Sequence, residues 1–192
     1  MKIVLFDTNK TLCDSWCIAF EDLIESGSSI VVENKNLNEI EGVDCFITPG
    51  NSFGSMSGGI DLAFRDKFGY QLQDVIQLGI MQHTPFGLPV GDTLVVKGED
   101  CADVMYAPTM RVPSPARPLD IAFVMSAIIV SLFEYDYKCV AIPGLGTGAG
   151  NLNTTIAANM MRCGYDTAMK LLSHMKEVVK DSTEGIIPES SK

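Results

Sequence analysis

"VDCFITPGNSFGSMSGGID", residues 43–61, decides how this chain is read. It opens on a short apolar run, Val43 to Ile47, of the kind that forms a buried strand. The fourteen residues from Thr48 to Asp61 then hold four glycines, three serines, a proline and an asparagine. Glycine loses more backbone entropy on folding than any other residue, so such a cluster needs a local geometric reason. One reason is a tight turn; the other is a backbone that comes very close to a ligand. "VAIPGLGTGAGN", residues 140–151, repeats the arrangement of an apolar run followed by glycines.

Outward from these two segments the chain alternates between two periods. "KIVLF" reads as a strand that ends in turn and N-cap chemistry at Asp7, Thr8 and Asn9. Leu12, Trp16, Ile18, Ala19 and Leu23 recur at helical spacing. "SSIVVEN" and "VDCFI" read as the second and third strands, the latter ending at Ile47. Two helices are expected around Gly69, then strands at "DTLVV" and "DVMYA", and a loop at "PTMRVPSPARP". A buried helix follows at Leu119–Tyr135, a strand at "KCVAIP", and a long last helix with an interruption expected at Gly164. Strands alternating with helices imply an α/β fold, one domain over residues 1–180 with a loose tail at 181–192.

Composition narrows the function classes. The chain has 192 residues, enough for one well-buried domain and short for two. Hydrophobic content is 46%, and a mean hydropathy of +0.19 places it with globular proteins. No apolar stretch reaches the roughly 18 residues that a membrane helix needs. Met1–Asp7 carries one lysine and then an aspartate, unlike a signal peptide, so a cytoplasmic location is expected. The six cysteines form no CxxC pair and read as reduced residues. Only His83, expected on a loop, and His174, expected on a helix face, carry imidazoles, so no metal site is expected. A formal charge of −10 gives no basic footprint for duplex nucleic acid.

Both glycine segments follow a strand and lead into a helix. Ligands of open α/β sheets bind beyond the carboxyl ends of the strands, where such loops gather. Backbone amides and helix N-termini there suit anions, so two loops together can hold a diphosphate without lysine or arginine. The bland alternative is that both are tight turns and hold nothing. A Walker A loop needs GxxxxGK[ST], and neither segment has the lysine. The spacing Gly144, Gly146, Gly148, Gly150 is not the GxGxxG of dinucleotide binders and comes late in the chain.

"CFITPGNSFGSMSGGIDLAF" and "VAIPGLGTGAGN" resemble the two loops of macrodomains, and the likeness spans roughly residues 1 to 175. The resemblance implies a three-layer macrodomain fold with a mixed, mostly parallel sheet flanked by helices. It also implies that the ligand is ADP-ribose or an ADP-ribosylated macromolecule, with no cofactor and no metal. On that resemblance Asn51 contacts the distal ribose, and the amides of Gly58, Gly59 and Ile60 approach the diphosphate and ribose. Asp61 positions or activates water near the anomeric carbon, and Gly144, Leu145, Gly146, Thr147 and Gly148 wrap the diphosphate. Asp7 accepts a hydrogen bond from the adenine amino group. The residue types fit: an amide both donates and accepts, and a carboxylate beside an anomeric carbon serves as general base. The competing reading makes Asn51 a left-handed turn residue and Asp61 a charge that favours a helix N-terminus.

Departures from the family pattern accompany the likeness. Thr48-Pro49-Gly50 stands where many active members begin the loop with another asparagine. Thr147 replaces an aromatic near the distal ribose, for which Phe53 and Phe86 are the candidate substitutes. Gly150 stands where another hydrolytic branch has an aspartate. Three expectations follow: an ADP-ribosyl hydrolase or ADP-ribose 1″-phosphate phosphatase, with Asp61 and Asn51 as catalytic residues; a non-catalytic reader or sponge; and a partner-binding domain with empty loops. A monomer without membrane association is expected.

Overall fold

The structure is a computed structural model that describes residues 1–99 and 101–184. Six strands form one sheet in the order β2-β1-β6-β3-β5-β4. They are β1 (Lys2–Phe6), β2 (Ile30–Glu33), β3 (Cys45–Asn51), β4 (Leu94–Val96), β5 (Asp103–Met110) and β6 (Cys139–Pro143). Every pairing is parallel except that of the edge strand β4 with β5. The six helices are α1 (Lys10–Ala19), α2 (Glu21–Glu25), α3 (Gly59–Phe68), α4 (Gln71–His83), α5 (Pro118–Leu132) and α6 (Thr154–Glu184).

The period of two in the strands divides the core into two layers. Ile3, Leu5, Ile47, Met105, Val140 and Ile142 face α1, α5 and α6. Their neighbours Val4, Phe6, Phe46, Val104, Tyr106 and Ala141 face α3 and α4. Strands covered on both faces need apolar residues at successive positions, and that is why these segments show no polar alternation. Among the described residues no helix is long and apolar enough to cross a membrane.

Five local expectations change. Residues 10–25 form two helices, because α1 ends at Phe20, whose ring is fully buried. The strand read as ending at Ile47 continues through Thr48-Pro49-Gly50 to Asn51, and β5 continues past Ala107 through Pro108-Thr109-Met110. Proline is tolerated at both places because one ladder has already ended there. The pairing of β3 with β6 covers only Cys45 and Phe46, and that of β5 with β4 stops at Tyr106. Helix α6 runs through Gly164 without a break. A Cβ there would lie 2.3 Å from the carbonyl oxygen of Ala122, so the glycine serves close approach to α5. His83 is the last residue of α4 and lies 3.3 Å from Asp92. From residue 185 the expected tail lies outside the described residues.

Candidate functional site

The short β3–β6 ladder makes the site. The two strands pair only over their first residues, so their carboxyl ends are not bonded to each other and leave a crevice between Asn51 and Pro143. The two glycine segments leave the sheet here, next to the ends of β1 and β5. Two adjoining cavities of about 330 and 370 Å³ result. They share Gly59, Ile60, Gly144 and Gly148, so the two segments form their common wall.

The first cavity is built on β3. Its wall at Gly50 exists because Tyr106 of β5 comes up beneath: a Cβ on Gly50 would lie 2.0 Å from the Tyr106 hydroxyl oxygen. That hydroxyl donates to the Asn51 carbonyl at 2.7 Å and accepts from the Asn51 N–H at 2.9 Å. Burial, and then the charge of Asp61, push the phenol further up from its ordinary pKa, so it stays protonated. Asn51 is in extended backbone, not the left-handed turn that a competing reading allowed. Its side-chain amide donates to the Ser55 carbonyl at 2.9 Å and accepts from the Phe53 N–H at 3.0 Å. One N–H and one lone pair of that amide remain for a ligand.

Asp61 enters the same cavity from the first turn of α3. It is only 9% exposed, and the hydroxyl of the fully buried Thr48 donates to its Oδ1 at 2.8 Å. Burial pushes the carboxyl up to about 7, against the opposing hydrogen bond from Thr48. A carboxyl that exchanges its proton near neutrality can act as a base or an acid at physiological pH. Its place at a helix N-terminus also suits its charged form.

The second cavity lies across the end of β1. Asp7 and Asn9 line it. Asp7 Oδ1 accepts from the Asn9 N–H at 2.8 Å, and Asn9 caps α1 by accepting from Thr11 N–H and Leu12 N–H. Asp7 Oδ2 has no hydrogen-bond partner among the described residues and lies on the side of Gly144 and Thr147. Lys35 is the one cation among the described residues that line either cavity, and it pairs with Glu33 at 2.6 Å.

The residues singled out by sequence therefore gather. Asn51, Gly58, Asp61 and Gly146 line the first cavity, Asp7 and Thr147 the second, and Gly59, Ile60, Gly144 and Gly148 both. Leu145 is the exception: its side chain is fully buried in the core and lines neither cavity, because alternate loop residues turn inward. Thr147 stands away from the first cavity, and neither Phe53 nor Phe86 lines it. Gly150 does line it, and a Cβ there would lie 2.4 Å from the Gly146 carbonyl oxygen, so no aspartate fits at that position. Sequence reasoning missed Tyr106, Lys35 and Pro113. Tyr106 and Lys35 carry no motif, and Pro113 sits in a loop whose course sequence does not specify.

A family model described as Macro domain matches residues 47–161. An uncharacterised protein of Aquifex aeolicus (strain VF5) is 31% identical over 137 residues, 69% of this chain and 78% of its own. Among solved structures, the macrodomain of Mycobacterium tuberculosis DarG is similar with a TM-score of 0.61 at 18% identity, covering 70% of this chain and 88% of that one. Thermosipho africanus DarTG in complex with ADP-ribose is similar with a TM-score of 0.58 at 18% identity, covering 79% of this chain and 48% of that one. The present chain thus spans about half of the DarTG chain, and at these identities both likenesses are of fold.

Proposed function

The chain belongs to the macro domain family, and on that premise we propose that it binds ADP-ribose in this cleft and hydrolyses an ADP-ribosyl linkage. The adenosine lies in the second cavity, with Asp7 accepting from the adenine amino group. The diphosphate lies between the amides of Gly58–Ile60 and those of Gly144–Gly148, and the distal ribose lies beside Asn51 and Asp61. The observation that carries this reading is the pair of cavities with a shared glycine wall and a buried carboxyl in one of them. The ADP-ribose named for the DarTG structure supports the choice of ligand.

The chemistry is a displacement at the anomeric carbon. Ionised Asp61 takes a proton from water as the oxygen bonds to that carbon. The bond to the leaving group breaks with its electron pair, and the leaving group is protonated by the Asp61 carboxylic acid or by solvent. The leaving group is a macromolecular side chain or base, or the phosphate of ADP-ribose 1″-phosphate. Two observations favour a second reading, a non-catalytic binder. The Asn51 amide already holds its own loop, and none of the described residues lining the first cavity is aromatic.

Calorimetric titration with free ADP-ribose tests binding. Micromolar or tighter affinity is expected, and no heat at millimolar ligand removes both readings. Incubation with a mono-ADP-ribosylated protein separates them. Release by the wild type, reduced at least 100-fold in Asp61→Ala, is expected for the hydrolase. Release no faster than in buffer on that substrate leaves the binder.

A further inference from the structure

Thr48 differs from the expected asparagine, and its hydroxyl is not directed into the open cavity. It sits on β3, fully buried, and donates to Asp61 Oδ1 at 2.8 Å, joining the strand to the first turn of α3 across the floor of the site. Asp61 Oδ2 accepts no hydrogen bond from the described residues, and Asp61 lines the cavity. One oxygen is therefore held and the other is left for what enters. We propose that Thr48 is the positioning residue for Asp61: its hydroxyl fixes which carboxylate oxygen faces the ligand and favours the ionised form. The catalytic part of this inference rests on the hydrolase reading above; the positioning part does not.

The surroundings leave Thr48 this role. A hydroxyl that donates to a carboxylate stabilises the charged form, and burial opposes it. These are the two causes of the Asp61 shift, burial being the larger. The titratable group facing Asp61 from β5 is Tyr106, whose hydroxyl is committed to the Asn51 backbone. On α3 itself Arg65 lies one turn on, with its guanidinium 5.0 Å over the Tyr70 ring. Neither contributes a cause to the Asp61 shift. Without the Thr48 hydroxyl, only the N-terminus of α3 offsets desolvation of the carboxylate, and its titration moves to higher pH.

Carboxyl carbon NMR on the full chain, with the Asp61 signal assigned by its loss in Asp61→Asn, tests the inference without any ligand. The wild-type signal should titrate near pH 7. Thr48→Val removes the donor at constant volume and should move the midpoint up by about one pH unit or more. Thr48→Ala, which makes no demand on packing, should move it the same way, and Thr48→Ser should restore it. On an ADP-ribosylated substrate, a one-unit rise cuts the Asp61-dependent rate about five-fold at pH 7, with recovery by about pH 9. An unmoved midpoint in both Thr48→Val and Thr48→Ala overturns the proposal. So does a rate loss that is equal at every pH. Failure of ADP-ribose to bind while the midpoint still moves sinks the functional reading and leaves the positioning role in place.

Discussion

Asp61 and Gly50 show at the level of single residues how a site departs from what stability alone would select. Folding raises the Asp61 carboxyl from its ordinary 3.8 to about 7 through burial, so the native state binds a proton more readily than the unfolded chain. Stability therefore falls as pH rises between about 4 and 7 and levels off above that. A shift of this size corresponds to at most about 4 kcal/mol. Asp61→Asn should remove most of that slope: its melting temperature should exceed the wild type's at pH 8 and match it near pH 4. Calorimetric melts across that range check the prediction, and a wild-type stability that rises from pH 4 to 7 through this residue contradicts it. Gly50 answers the question raised by the glycine cluster at one position, since the Tyr106 hydroxyl occupies the space of a side chain. The need for a glycine was legible in the sequence; its neighbour, fifty-six residues on, was not.

At the level of elements, alternating periods of hydrophobic residues were enough to locate the six strands, because a sheet covered on both faces writes itself as short apolar runs. Their ends were harder. β3 and β5 each extend through a proline, which a local rule reads as a stop. The rule yields where a neighbouring ladder has already ended, and pairing partners are not a local property. Gly164 carries the same lesson in a helix. Glycine inside a helix costs about 1 kcal/mol relative to alanine, so an interruption was the local expectation. The structure instead brings the carbonyl of Ala122 to 2.3 Å from where a methyl would stand. Overpacking against backbone costs about 1–3 kcal/mol and exceeds the propensity gain. Gly164→Ala should therefore lower the melting temperature by a few degrees, measurable by circular dichroism; an increase would mean that α5 and α6 separate freely.

At the level of the whole molecule, the charge of −10 and the single cation among the described residues that line the cleft specify how binding should respond to salt. On the proposed function, an anionic diphosphate held by backbone amides would gain little from long-range attraction and would be repelled by the acidic surface. Its dissociation constant should stay level or fall as salt rises from about 50 to 500 mM. A ten-fold weakening would show that cationic side chains carry the interaction. Sequence by itself determined the α/β class and the two glycine segments, because periodicity and loop composition are properties of neighbouring positions. Only the tertiary structure decided that those segments share one wall, that Tyr106 fills the space where a Gly50 side chain would stand, and that Thr48 holds Asp61. Each of these is a contact between strands or layers distant in the chain, and such contacts exist only once the sheet order has been chosen.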